Sequence, residues 1–164
     1  MDSSLSTWLR PEYVAPAVGI LVAGVGGALT EVGPWYKALK TPRWKPPDWA
    51  FGPIWLVIIS LAVIAGVVAW RQTTSVQSQL WLLASFATNC ILNVAWSLLF
   101  FKLKRPDWAL VETVFLWASI VWMMIVTYPL SSTACLLLLP YLVWVSIASV
   151  LNWVTVKMNG PFHS

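Results

Sequence analysis

The chain has 164 residues, of which 59% are hydrophobic and only 10% charged, with 13 tryptophans and a net charge of +4. Its mean hydropathy of +0.76, and a charged fraction far below the roughly one quarter usual in soluble domains, exclude a soluble globule and indicate one integral membrane domain in contact with lipid. The positive balance does not indicate nucleic acid, because the cations sit in short loops between apolar runs and not along one exposed face.

In chain order, Met1 to Leu9 holds no Lys or Arg and one Asp. It therefore lacks the positive n-region of a cleavable signal, and the first apolar run is expected to remain. A bilayer core takes about 20 mainly apolar residues per helix. Five stretches qualify, near 13–30, 54–70, 80–101, 108–128 and 134–156. The fold class is thus all-α, a five-transmembrane-helix bundle in one membrane domain spanning 1–164. Short connections make neighbouring spans antiparallel. Cys90 and Cys135 fall inside apolar runs without metal-type spacing and read as small buried side chains.

The first span carries Gly19, Ala23 and Gly27 at every fourth position, a small-residue stripe suited to close helix approach, either within the chain or in a dimer. The first loop, 31–53, is dense in aromatics, cations and prolines. Pro42, Pro46, Pro47 and Pro53 each lack an N–H and restrict the preceding residue, so no regular helix is expected there. Trp35, Trp44, Trp49 and Trp55 pair large apolar rings with a polar N–H, which suits a headgroup layer or a pocket rim. Lys37, Lys40, Arg43 and Lys45 add positive charge. Two readings follow: an interfacial loop anchored by its indoles, or a stiff lid over a cavity between helices.

Polar residues within spans point to helix contacts or to a cavity. In span two, Trp55, Ile59, Ala62 and Gly66 share a face. In span three, Asn89, Asn93, Trp96 and Phe100 do so, and in span four Trp108, Glu112, Phe115, Ser119 and Trp122. In span five, Tyr141, Trp144, Ala148, Leu151 and Asn152 cluster. These faces serve either ordinary interhelical packing or a cavity for a large, flat, mostly apolar ligand. Eight of the ten Lys and Arg residues lie in the first loop, the third loop and the C-terminal tail, against Arg10 and Arg71 on the other side. That bias puts the first loop and C-terminus in the cytosol.

The motif Trp35-Tyr36, Leu39, Pro42, Trp44, Pro46-Pro47, Trp49 and Pro53 with Trp55 resembles the signature of the tryptophan-rich sensory protein / translocator protein family, also called peripheral-type benzodiazepine receptors. Leu92-Asn93 with Trp96 and Phe100-Phe101, Trp108-Ala109-Leu110, and Pro140-Tyr141-Leu142 with Trp144 and Leu151-Asn152 continue the match over roughly 15–160. The resemblance implies a five-helix bundle with a pocket opening on the first-loop side. It implies as ligands porphyrins and haem-related tetrapyrroles, cholesterol, and synthetic benzodiazepine-type compounds, with no cofactor required, and close homodimers. The pocket it implies comprises Trp55, Asn93, Trp96, Trp108, Trp144, Ala148 and Leu151, with Trp35, Tyr36 and Trp44 in the lid. Two positions depart from the family pattern. Thr41 stands where a Lys is common before the loop proline, and Trp153, with Lys157 downstream, stands where the weak sterol motif needs Tyr followed by Arg or Lys.

Three functions compete. The first is a receptor or transporter binding tetrapyrroles, in a stress or light response. The second is a porphyrin-degrading photo-oxidation through Trp55 and Trp144. The third is a sterol-binding or structural subunit of a membrane complex. The sole histidine, His163, and the scattered carboxylates offer no hydrolytic constellation.

Overall fold

The computed structural model describes residues 11–162, so Arg10 and His163 lie outside the described residues. Its helices are α1 (Pro11–Leu29), α2 (Pro34–Ala38), α3 (Asp48–Trp70), α4 (Val76–Ser97), α5 (Pro106–Thr127), α6 (Ser132–Leu137) and α7 (Leu139–Asn159). Five stretches are long and apolar enough to cross a bilayer: α1, α3, α4 with the turn after it, α5, and α6 with α7. The protein is an integral, multi-pass membrane protein with five candidate spans. α5 is the central element, packed most extensively on α4 and α7, while α1 lies against α3 and α4.

Local chemistry explains where the helices depart from the expected bounds. α3 starts at Asp48 and carries Pro53 inside it, whereas Pro53 was expected to exclude a regular helix. The ring forfeits only the bond to the Trp49 carbonyl, and Trp49 is 76% exposed at the helix mouth, where water can replace it. The first loop also contains α2, with Pro34 in its first turn, where a missing N–H costs nothing. α4 begins in a capping box between Ser75 and Ser78. It ends in a π-helical turn at Leu98–Lys102, where the Leu103 N–H donates five residues back to the Leu98 carbonyl at 3.0 Å. The widened turn buries the consecutive rings of Phe100 and Phe101. The last span is interrupted at Leu138 because Pro140 cannot donate into the preceding turn.

Three clusters of buried side chains stack along the bundle. Trp70, Leu82, Met123 and Leu138 fill the end away from the first loop. Ile58, Leu116, Ile120, Tyr141 and Val145 fill the middle. Phe100, Phe101 and Ala109 pack under Trp35, Tyr36 and Leu39 of the first loop.

At Gly19 the small-residue stripe of α1 is used within the chain. A Cβ at Gly19 would lie 2.6 Å from Val63 Cγ2 of α3, whereas nothing stands within 4 Å of one at Gly27. Gly19→Ala should therefore destabilise the bundle by about 1–3 kcal/mol through overpacking, with Val63→Ala in the same chain restoring most of the loss. Gly24→Ala, which meets nothing within 4 Å, should be neutral in the same thermal unfolding assay.

The chain's ends and loops give a topological expectation too. In a background of Cys90→Ala and Cys135→Ala, an impermeant thiol reagent at the non-cytosolic face should label Thr74→Cys and spare Arg43→Cys. Labelling at position 43 from that face would reverse the assignment.

Candidate functional site

The helices diverge toward the first-loop end and enclose a cavity of about 420 Å³. Four membrane-spanning elements supply most of its wall. α1 contributes Ala23, Gly26 and Gly27, with Thr30 just past its end, and α3 contributes Phe51, Gly52, Trp55, Leu56 and Ile59. Asn93, Trp96, Ser97, Phe100 and Phe101 come from α4 and its π turn, and Trp144, Val145, Ala148, Leu151 and Asn152 from α7. Thr113 and Leu116 of α5 complete it. The glycines and alanine of α1 leave the room that larger side chains would fill.

The rings are held edge-on or stacked. Trp55 meets Tyr141 edge-to-face with centroids 6.0 Å apart, Trp144 meets Phe51 at 5.7 Å, and Trp96 stacks on Phe100 at 5.0 Å. Beneath the cavity runs a chain of side-chain hydrogen bonds. The Asn93 amide donates to the Tyr141 hydroxyl at 2.9 Å, and that hydroxyl donates to the Asn89 carbonyl oxygen at 3.1 Å. The Asn89 amide donates to Ser119 Oγ at 2.9 Å, and Ser119 donates to the Leu116 carbonyl at 2.7 Å. Asn152 directs its amide nitrogen to the Pro106 carbonyl at 3.2 Å and its oxygen to the Leu110 N–H at 3.1 Å, tying α7 to the first turn of α5.

Over the cavity lies a lid of Tyr36, Leu39, Thr41 and Lys45. Lys45 pairs with Asp48, the Tyr36 hydroxyl donates to Asp48 Oδ1 at 3.0 Å, and the Lys45 ammonium sits 5.1 Å from the Tyr36 ring centroid. Burial pulls the Lys45 ammonium down from its ordinary value, but hydrogen bonds to Asp48 and Tyr36 outweigh it and leave the group above that value. The contribution of this ammonium is therefore complete at neutral pH and is lost only as pH rises past the usual lysine range. Further back, Asn159 accepts from the Lys40 N–H at 2.8 Å and donates to the Lys40 carbonyl at 2.7 Å. Lys102 holds Glu31 at 3.0 Å.

Of the residues singled out in the sequence, Tyr36, Trp55, Asn93, Trp96, Trp144, Ala148 and Leu151 line the cavity. Trp35, Trp44 and Trp108 do not. Trp35 packs edge-to-face on Phe100 at 6.2 Å, behind the lid. Trp44 is 51% exposed on the loop surface. Trp108 is 57% exposed, with the Arg105 guanidinium over its ring, because α5 turns the Ala109, Thr113 and Leu116 stripe inward. Phe51, Gly52 and Asp48 were not anticipated. Asp48, Gly52, Trp55 and Ile59 repeat at helical spacing, a pattern hidden by treating Pro53 as a helix stop.

The sequence profile of the TspO/MBR family matches residues 13–158. The chain belongs to that family. It is 36% identical to the tryptophan-rich protein TspO of Chlorobaculum tepidum over 155 residues, which covers 89% of this chain and 95% of that one. The tryptophan-rich protein TspO of Archaeoglobus fulgidus is 35% identical over 152 residues, covering 91% and 97%. The translocator protein of Sus scrofa is 33% identical over 152 residues, covering 88% and 90%. Similarity at this level runs nearly end to end in each pair, so the family membership applies to the whole bundle.

Removing the hydroxyl at the centre of the polar chain tests how firmly it holds the cavity floor. Tyr141→Phe leaves the Asn93 amide and the Asn89 oxygen without their partner and should cost about 1–3 kcal/mol in unfolding. Combined with Asn89→Leu, the losses should be less than additive, because both changes break the same bond.

Proposed function

We propose that this protein is a membrane receptor or transporter that takes a tetrapyrrole, of the porphyrin or haem-related class, into the tryptophan-lined cavity. The carrying observation is the wall itself: indoles from three helices, Trp55, Trp96 and Trp144, border a space of about 420 Å³, within the roughly 300–1,000 Å³ range of small-molecule sites. A broad apolar ring system gains both burial and ring contacts there. The charged side chains among the lining residues, Lys45 and Asp48, sit at the mouth, where an acidic substituent of the ligand would meet the ammonium. No resident cofactor is needed, since the tetrapyrrole is itself the ligand. Occupancy would then report tetrapyrrole level, the basis for a role in stress or light response. A homodimer belongs to the same reading.

A second reading is photo-oxidative degradation of the bound porphyrin. It is favoured by Trp55 of the cavity wall in ring contact with Tyr141, an oxidisable pair, with Trp144 also lining the cavity. Light- and oxygen-dependent loss of porphyrin absorbance, abolished by Trp→Phe at 55 or 144, would select it. A sterol fits less well, because Lys157 lies 4.0 Å over the ring of Trp153, on a 46% exposed residue outside the cavity lining.

Titration of protoporphyrin against intrinsic fluorescence tests the first reading. Trp144→Ala removes ring contacts worth about 0.5–1.5 kcal/mol beyond burial and opens a void, so affinity should fall roughly tenfold or more. Lys45→Ala should weaken binding less, only for porphyrins bearing carboxylates, and less again at high salt. Lys40→Ala and Arg43→Ala, at positions that do not line the cavity, should have smaller effects. Unchanged binding by Trp144→Ala with complete loss in the loop variants would move the ligand to the basic surface and end the cavity reading.

A further inference from the structure

Glu112 is the one carboxylate of the described chain that stands in the interior of the bundle rather than at a helix end or in a loop. It is 8% exposed, and both carboxyl oxygens are buried without a hydrogen-bond partner. Ser119, seven residues further along α5 and so on the same face, bonds Asn89 of α4. Glu112 therefore belongs to the side of α5 that meets α4. It is not part of the cavity lining, but its sequence neighbour Thr113 and Leu116 one turn on are. The carboxyl stands just behind the α5 wall of the cavity.

The surroundings offer an anion nothing. Packed against α5 are α4, the π turn, α7, α6 and α3. Their titratable side chains are Cys90 in α4, Lys102 in the π turn, Tyr141 and Lys157 in α7, Cys135 in α6 and Asp48 in α3. Lys102 is held by Glu31 and Asp48 by Lys45, and Lys157 lies over Trp153. The Tyr141 hydroxyl donates to Asn89. Within α5, Asp107 pairs with Arg105 at 2.6 Å. The interior amides are also engaged, Asn89 and Asn93 in the polar chain and Asn152 on the α5 backbone. An ionised carboxylate in such a place has no paired cation and no donor in hydrogen-bond contact, and its desolvation is prohibitive.

We propose that Glu112 is an intramembrane proton-binding site, holding a proton at neutral pH and releasing it only when α5 moves away from its neighbours enough to admit water. The ligand is the proton itself, whatever class of molecule the cavity takes. Because the cavity wall at Thr113 and Leu116 is part of the same two turns, proton release and displacement of that wall are one event.

The test keeps Glu112 intact. The sequence contains three glutamates, Glu12, Glu31 and Glu112. In a Glu12→Gln, Glu31→Gln chain grown with carboxyl-13C glutamate and reconstituted in bilayers, Glu112 is the single labelled side-chain carboxyl. Infrared spectra at neutral pH should show its isotope-shifted band as the carbonyl stretch of an un-ionised acid. On alkaline titration that band should convert to carboxylate together with faster amide exchange in α5. A carboxylate pair at neutral pH overturns the proposal. So does conversion in the same pH range as Glu31 labelled alone in a Glu12→Gln, Glu112→Gln chain. Should that comparison chain fail to fold, the neutral-pH spectrum of the first chain decides alone.

Discussion

A chain of hydrogen bonds through the Tyr141 hydroxyl ties together three helices in a place that bulk water does not reach. The hydroxyl accepts from the Asn93 amide and donates to the Asn89 carbonyl oxygen, and the Asn89 amide donates to Ser119 of α5. In hydrocarbon each of these groups left unpaired would cost far more than the pairing gains in water. The registers of α4, α5 and α7 are therefore fixed relative to one another at one level of the bundle. Below that level apolar side chains close the core. Above it the helices are free to diverge, and the cavity is the space that divergence leaves. Trp55 rests its edge on the same tyrosine ring, so α3 takes its position from the same residue.

Electrostatics divide the molecule along the same axis. At the loop end, Lys45 with Asp48, Lys102 with Glu31, and Arg105 with Asp107 are matched pairs. At the opposite end Arg71 meets Glu12 at 3.1 Å. Between them the bundle relies on neutral polar groups. Serines and threonines at 85, 113, 119, 146, 149 and 155 return their hydroxyls to the carbonyl three or four residues back. This satisfies each hydroxyl within its own helix, while cross-helix bonds come from the few amides, the tyrosine and the Trp117 indole, which donates to Ser146 Oγ at 3.0 Å.

Hydropathy alone made the five spans legible, because a run of some 20 apolar residues has few alternatives in water. The loop motif and the span faces made most of the cavity legible too: Asn89, Asn93, Trp96 and Phe100 all turn inward, as do Tyr141, Trp144 and Ala148. Span four is read correctly at Glu112 and Ser119, both buried, and wrongly at its large rings. Its bulky rings at 108 and 115 suggested an inward face, yet both are more than half exposed. In lipid an indole or phenyl ring is no worse outside than inside, so aromatic content does not orient a helix there. The small and polar residues do, and Ala109, Thr113 and Ser119 mark the buried side correctly. The reach of α3 was missed because proline rules drawn from helix interiors were applied near an end. The pairing of Asn159 with Lys40 spans 119 positions and leaves no local trace in the sequence.

That last contact links thermodynamics to timing. Asn159 is the final residue of α7, and it grips both backbone groups of Lys40, within the lid segment. Helix ends fray more readily than helix centres, and each fraying event at the C-terminus of α7 lets go of the lid without disturbing the cavity wall. Arrival and departure of an occupant would then share an accelerator that leaves their ratio untouched. Residence time would be written in the chain's last helical turn, and equilibrium affinity in the rings more than a dozen residues before it.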